Sequence, residues 1–174
     1  PLGQPRREEG GVVEEAGRQV RVRHLLDDRR EGALEQNDAA RRLRPQPDER
    51  HDEIVMVRDI PIYSICEHHL LPFTGVAHIA YLPSDRVIGL GRLPKLVELL
   101  GARPQLQENL TAQIADALEV GLDTKGVVVV IEARHHCVVS RGARQPEANT
   151  VTMAARGCYS ETTARAEVMG LISK

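Results

Sequence analysis

Ser64-Ile65-Cys66-Glu67-His68-His69-Leu70-Leu71-Pro72-Phe73, residues 64–73, sets a thiol, a carboxylate and two imidazoles in four consecutive positions between apolar flanks. Thiolate and imidazole are soft and borderline ligands, a pair that suits Zn²⁺. Cys66 and His69 stand three apart, so one helical turn would bring them to the same side and leave His68 free for proton work. Before this stretch, Ile54-Val55-Met56-Val57 starts a predicted strand that continues past Asp59 to Ile62-Tyr63. After it, Pro72 marks a break and Gly75–Leu82 reads as a second strand. Pro83-Ser84-Asp85 is a turn, and Arg86–Leu90 reads as a short third strand, so residues 75–90 are expected to form a hairpin.

Two helices are predicted next. Leu93–Leu100 ends at Gly101, a helix stop, and Pro104 fits the first turn of the following helix. Leu106, Leu110, Ile114 and Leu118 repeat every four residues as one apolar stripe, with Gly121 as its end. Val127–Ile131 is an unbroken β-branched run, expected as a strand covered on both faces. Ala148–Ala155 is a further strand with Thr150 and Thr152 on one face, and Thr162–Ile172 a final helix. Strand, hairpin, two helices, two strands and a helix make an α+β fold with a largely antiparallel sheet rather than a βαβ repeat.

Residues 1–50 differ from the rest. They hold no aromatic residue and eleven arginines. Val12, Val13, Ala16, Val20 and Leu25 allow one weak amphipathic helix, and Arg41–Arg50, with Pro45 and Pro47, reads as a linker. The expected division is an N-terminal arm, 1–50, and a catalytic domain, 51–174. A formal charge of −2 gives no electrostatic case for nucleic acid or an anionic membrane. No apolar run approaches the about 18–20 residues of a membrane span, and no signal-peptide centre stands at the N-terminus. Three cysteines, two of them beside histidines, fit metal binding in a reducing cytoplasm better than a disulfide framework.

A second cluster, His135-His136-Cys137, could close the site opened by Cys66 and His69. Cys66, His69 and Cys137 would leave an open fourth position, as a catalytic zinc has; the alternative is buried free cysteines and ordinary histidines. His68 and His135 are either proton shuttles or orienting neighbours. Glu108, at the start of the long helix, could accept two parallel N–H bonds from the N1–H and 2-amino edge of guanine, or be a solvated residue favoured by the helix dipole. Arg92, Lys95, Arg103, Arg141 and Arg144 suit an anionic, phosphate-bearing substrate, or are surface charge.

Taken together, these pieces resemble GTP cyclohydrolase I. They are Val57-Arg58-Asp59-Ile60, Tyr63–Phe73, Gly75-Val76-Ala77-His78, Tyr81-Leu82-Pro83, Val87-Ile88-Gly89-Leu90, Arg103–Thr111 with Gln113-Ile114-Ala115, His135-His136-Cys137 with Arg141-Gly142, Thr150-Val151-Thr152 and Arg156-Gly157. The resemblance runs from about Asp52 to Lys174. It implies a tunnelling fold, an antiparallel sheet backed by helices, assembled into a ring-shaped homodecamer. The implied reaction opens the imidazole ring of GTP at C8, releases formate and yields 7,8-dihydroneopterin triphosphate. By position, Cys66, His69 and Cys137 would hold zinc, and His68 and His135 would transfer protons. Leu90, Arg92, Lys95, Gln107, Glu108 and Arg141 would bind substrate, Gln107 and Glu108 at the purine and Arg141 at the triphosphate.

Three departures stand out. Gly91-Arg92 replaces the family's Ser-Lys, Lys95 replaces an arginine, and residues 1–50 carry no match to the family's N-terminal Thr-Pro-x-Arg segment. A catalytically weak, nucleotide-binding paralogue acting as a regulatory subunit is the competing function.

Overall fold

The computed structural model describes residues 38–43, 46–47, 51–141 and 143–172. The weak helix expected around Val12–Leu25 lies outside them. Five strands form the main sheet in the order β5-β2-β3-β6-β7. They are β2 (Val55–Cys66), β3 (Pro72–Leu82), β5 (Pro104–Gln105), β6 (Gly126–His135) and β7 (Thr150–Gly157). All neighbours are antiparallel except β2 and β5. The α+β, largely antiparallel sheet expected from the sequence is therefore the one observed.

β6 lies inside the sheet, between β3 and β7, and is covered on both faces. Val127 to Ile131 are each at most 1% exposed, because alternate side chains enter different cores. Val127, Val129 and Ile131 join Leu93, Leu96 and Leu100 of α1 (Arg92–Gly101) and Leu110, Ile114 and Leu118 of α2 (Gln107–Leu122). Val128 and Val130 pack with Ala80, Tyr159, Val168 and Ile172, the last two on α4 (Thr162–Ile172). A short helix, α3 (His136–Val139), continues directly from β6.

Four local expectations are corrected. The hairpin over 75–90 does not form: β3 starts at Pro72 and pairs back onto β2, Ile65 opposite Pro72 and Val55 opposite Tyr81. The third strand shrinks to β4 (Arg86–Val87), which pairs instead with β1 (Gln46–Pro47) in a separate two-stranded sheet. Part of the run read as a linker is thus structured, and residues 38–42 are helical with Ala39 and Leu43 buried.

Pro104 belongs to a strand rather than a first helical turn. β5 pairs in parallel with Ile65-Cys66 at the sheet edge, where a missing N–H is tolerated. The helix starts only after Leu106, which is extended at φ −93°. Gly121 does not end α2, which runs to Leu122 and closes on Asp123 in the left-handed region, its N–H on Glu119 O at 3.0 Å. Gly121 has a packing role: a Cβ there would meet Ala40 O at 3.0 Å and Ala40 Cα at 3.1 Å.

A bulge interrupts the β2–β3 pairing between Val57 and Ile60. Asp59 sits there at φ 58° and its N–H donates to Nδ1 of buried His78 at 3.2 Å. Among the described residues no helix is long and apolar enough to cross a membrane.

Gly75 faces Ala133 across the β3–β6 pairing, and a Cβ there would run into Glu132 O and lie 2.6 Å from Ala133 Cα. Backbone cannot yield as a side-chain tip can. Gly75→Ala should therefore cost about 3 kcal/mol, the upper end of overpacking, read as a lowered urea midpoint with an unchanged slope.

Candidate functional site

The β2–β3 connection is a single tight turn. Leu70 N–H donates to Cys66 O at 2.8 Å and Cys66 N–H to Leu71 O at 2.8 Å. Leu70 closes the turn at φ 52°. This is the one helical turn that the Cys66–His69 spacing requires, and Cys66 Sγ lies 3.5 Å from His69 Nδ1. β5 holds the turn from the side: Glu67 N–H donates to Gln105 O at 3.0 Å. Gln105 is itself pinned, its amide donating to Leu100 O at 2.8 Å and to Gln113 Oε1 at 3.1 Å.

Cys137 comes from the start of α3, just past the end of β6. β3 and β6 pair so that Phe73 faces His135, which carries α3 back to the turn. The ligand atoms of Cys66, His69 and Cys137 all lie within 4.8 Å of one another. Cys66 is buried, Cys137 half-buried and His69 exposed. Burial, the neighbouring Cys66 thiol and a hydrogen bond with it push the Cys137 thiol up. Two thiols that close carry an electrostatic cost that a cation would relieve.

The donor set fits a tetrahedral ion. Metal–sulfur and metal–nitrogen bonds of about 2.3 and 2.0 Å at a tetrahedral angle separate S from N by about 3.5 Å, the spacing of Cys66 and His69. Three protein ligands leave one position open. Cys158, the third thiol, is exposed and outside this group.

Around the cluster stand four of the other expected residues. His68 is exposed, its ring edge-on to His69 at 6.1 Å. His135 stacks on Phe73 at 4.6 Å and 12°. Burial pushes its imidazole down, Glu108 pulls it up and His69 lowers it further. Glu108 is therefore within electrostatic reach of His135, and is itself exposed at the start of α2. Arg141 is exposed and acts on the Cys137 thiol, lowering it.

Gln107, expected at the purine, is placed in the interior beside His135. It is 1% exposed. Its amide nitrogen donates to Ile131 O, Thr150 O and Thr152 Oγ1, and its carbonyl faces His135 Nε2 at 2.7 Å. Every polar atom of the side chain is engaged inside the protein. Phe73, Thr111 and Thr152 are the contributors that motif reading missed. Alternation in β7, which sets Thr150 and Thr152 on one face, was the available signal.

Leu90, Arg92 and Lys95 stand at or just before the N-terminal end of α1. Arg92 and Lys95 line a cavity of about 470 Å³ with Arg42, Leu43, Leu96 and Glu98, which shares no lining residue with the metal cluster. Leu90 is 60% exposed just before α1. The C-terminal end of α1 is tied to β5 through Leu100 O, and Arg92 stands at the other end of the helix. Arg103 is not a spare cation: it is half-buried and donates to Gln113 Oε1 at 2.9 Å.

A family model described as GTP cyclohydrolase I matches residues 8–173, beginning inside the segment read as an arm. The chain is 58% identical over 120 residues to GTP cyclohydrolase 1 of Leifsonia xyli subsp. xyli, covering 69% of this chain and 63% of that protein. It is 56% identical over 128 residues to GTP cyclohydrolase 1 of Streptococcus pyogenes serotype M1, covering 72% and 66%. For GTP cyclohydrolase 1 of Thermoanaerobacter pseudethanolicus the figures are 53%, 128 residues, 72% and 68%. The chain thus spans about two thirds of the length of the curated relatives it matches. Among solved structures, the archaeosine synthase QueF-Like in the apo form superposes with a TM-score of 0.51 at 14% identity, over 62% of this chain and 97% of that one. That likeness is one of fold, the α+β tunnelling fold.

If the cluster holds a divalent metal, purified protein should carry one equivalent per chain under reducing conditions. Cys66→Ser and Cys137→Ser should each lose it, and Cys158→Ser should keep it, as read by elemental analysis. Metal retained in Cys66→Ser would remove that thiol from the site.

Proposed function

The chain belongs to the GTP cyclohydrolase I family, and on that premise we propose that it hydrolyses GTP to 7,8-dihydroneopterin triphosphate and formate with Zn²⁺ as its metal. The observation that carries the reading is the convergence of Cys66, His69 and Cys137 within 4.8 Å, with His135 and Glu108 beside them. Two thiolates and an imidazole with an open position are a zinc donor set. When bound, zinc supplies a Lewis acid and makes water acidic near neutral pH.

The chain's own residues do the rest. Glu108 accepts the N1–H and 2-amino hydrogens of guanine, a paired contact that selects this base. His68 and His135 move protons to and from the purine imidazole ring as C8 is hydrated and leaves as formate. Arg141, Arg92 and Lys95 bind the triphosphate, and Leu90 adds a substrate contact. Arg92 and Lys95 line a cavity that shares no residue with the cluster, which suits a homo-oligomer in which a neighbouring copy supplies the cationic half; we take it to be a ring-shaped decamer. We take residues 51–174 as the catalytic domain, with part of the preceding segment, residues 38–43 and 46–47, packed onto it. A site built on reduced thiols suits the cytoplasm.

Incubation with GTP and Zn²⁺ should release formate and give a fluorescent pterin after oxidation; neither product with metal fully loaded would overturn the reading. Glu108→Gln should lower kcat/KM for GTP by about 10²-fold, because its amide sets donors against donors. Unchanged discrimination between GTP and ITP in that variant would take Glu108 off the base.

Gly91 is at φ −67°, an ordinary helical value, and a Cβ there meets nothing within 4 Å. Gly91→Ser is therefore free of steric cost. Restoring one hydrogen bond in the transition state is worth about 1–3 kcal/mol, so kcat should rise about ten- to hundredfold with KM little changed. An unchanged kcat would show that the missing hydroxyl does not limit turnover.

A further inference from the structure

We propose that Gln107 is a positioning residue that holds His135 as its Nε2–H tautomer, leaving Nδ1 as the ring nitrogen open to a proton. The functional consequence rests on the cyclohydrolase reading; the tautomer itself does not.

The hydrogen-bond directions around Gln107 have one solution. Its Nε2 lies 2.9 Å from Thr150 O and 3.1 Å from Ile131 O. Carbonyl oxygens only accept, so the amide nitrogen must face them and the side chain cannot be flipped. Its Oε1 therefore faces His135 Nε2 at 2.7 Å. That oxygen also only accepts, so Nε2 must carry the hydrogen.

The threonines close the other side. Thr111 Oγ1 donates to Gln107 O at 2.7 Å, which uses its one proton. Thr152 Oγ1, 2.7 Å from Thr111 Oγ1, must then donate to it. Its lone pairs remain for Gln107 Nε2 at 3.1 Å. The amide is thus fixed from three sides, and the Phe73 ring, stacked at 4.6 Å, sets the plane of the imidazole.

The other tautomer would press a lone pair of His135 against the buried Oε1. An unmade bond of that kind biases the equilibrium on the order of ten- to hundredfold. Oε1 accepts the Nε2–H and, with the Phe73 ring, holds the imidazole in one orientation with Nδ1 as its bare nitrogen. Two adjacent residues at the start of α2 divide the work. Glu108 is exposed and faces substrate; Gln107, 1% exposed, reaches it only through His135.

The test uses metal-loaded protein labelled with ¹⁵N-histidine, the His135 signal being assigned by its loss in His135→Asn. Nitrogen–proton correlation spectra should show Nε2 protonated and Nδ1 bare. Gln107→Met, which keeps the bulk and removes the acceptor, should mix the tautomers and lower kcat for formate release about ten- to hundredfold with KM for GTP unchanged. If that variant does not fold, Thr152→Val loosens one anchor and should give a smaller loss in kcat alone. A protonated Nδ1 with bare Nε2 in the parent would overturn the proposal. So would a raised KM or altered preference between GTP and ITP in Gln107→Met with kcat intact, which would put Gln107 on the base. No formate from a parent protein showing the Nε2–H signature would strike the proposed activity and leave the tautomer assignment standing.

Discussion

Everything at the candidate site depends on how the backbone around Cys66 is held. Cys66 N–H and C=O bond to Leu71 and Leu70 across the turn, and the next N–H, of Glu67, bonds to Gln105 in β5. These three bonds fix the last residue of β2, the pitch of the turn that brings His69 round, and the edge strand that leads into α2. Backbone groups at such a strand end must find partners or remain open to water. Here they find them within the turn itself and in β5, and that constraint sets the positions of one thiol and one imidazole before any metal is considered.

The second half of the cluster arrives through long-range pairing. β3 and β6 are in register from Phe73–His135 to Leu82–Gly126, ten consecutive pairs anchored by the doubly buried β6. A slip of one residue would turn Val127–Ile131 inside out between the two cores. The hydrophobic pattern that stabilises the sheet is therefore also what places Cys137 beside Cys66. Gly75 lets β3 and β6 approach at the one point where a side chain would collide. Stability and site geometry share the same contacts.

Much of this was legible in the sequence. The β-branched run 127–131, the stripe Leu110-Ile114-Leu118 and the Cys66–His69 spacing each state a local rule that the fold obeys. What was not legible depended on partners far away in the chain. Pro104 reads as a helix start by local propensity, yet pairs with Ile65. Gly121 reads as a helix stop, yet makes room for residue 40. Arg86-Val87 pairs with Gln46-Pro47 rather than with its sequence neighbour. Gln107 and Glu108 are the instructive pair: adjacent in sequence, they are set about 100° apart by helical geometry. One side chain therefore faces the core and the other the solvent.

Two thiolates and one imidazole from distant segments should hold a zinc with one position open. X-ray absorption at the zinc edge of the purified protein tests it most directly. The spectrum should show two sulfur neighbours at about 2.3 Å and two lighter neighbours at about 2.0 Å, one of the latter replaceable by small anions. One, three or four sulfur neighbours would contradict it.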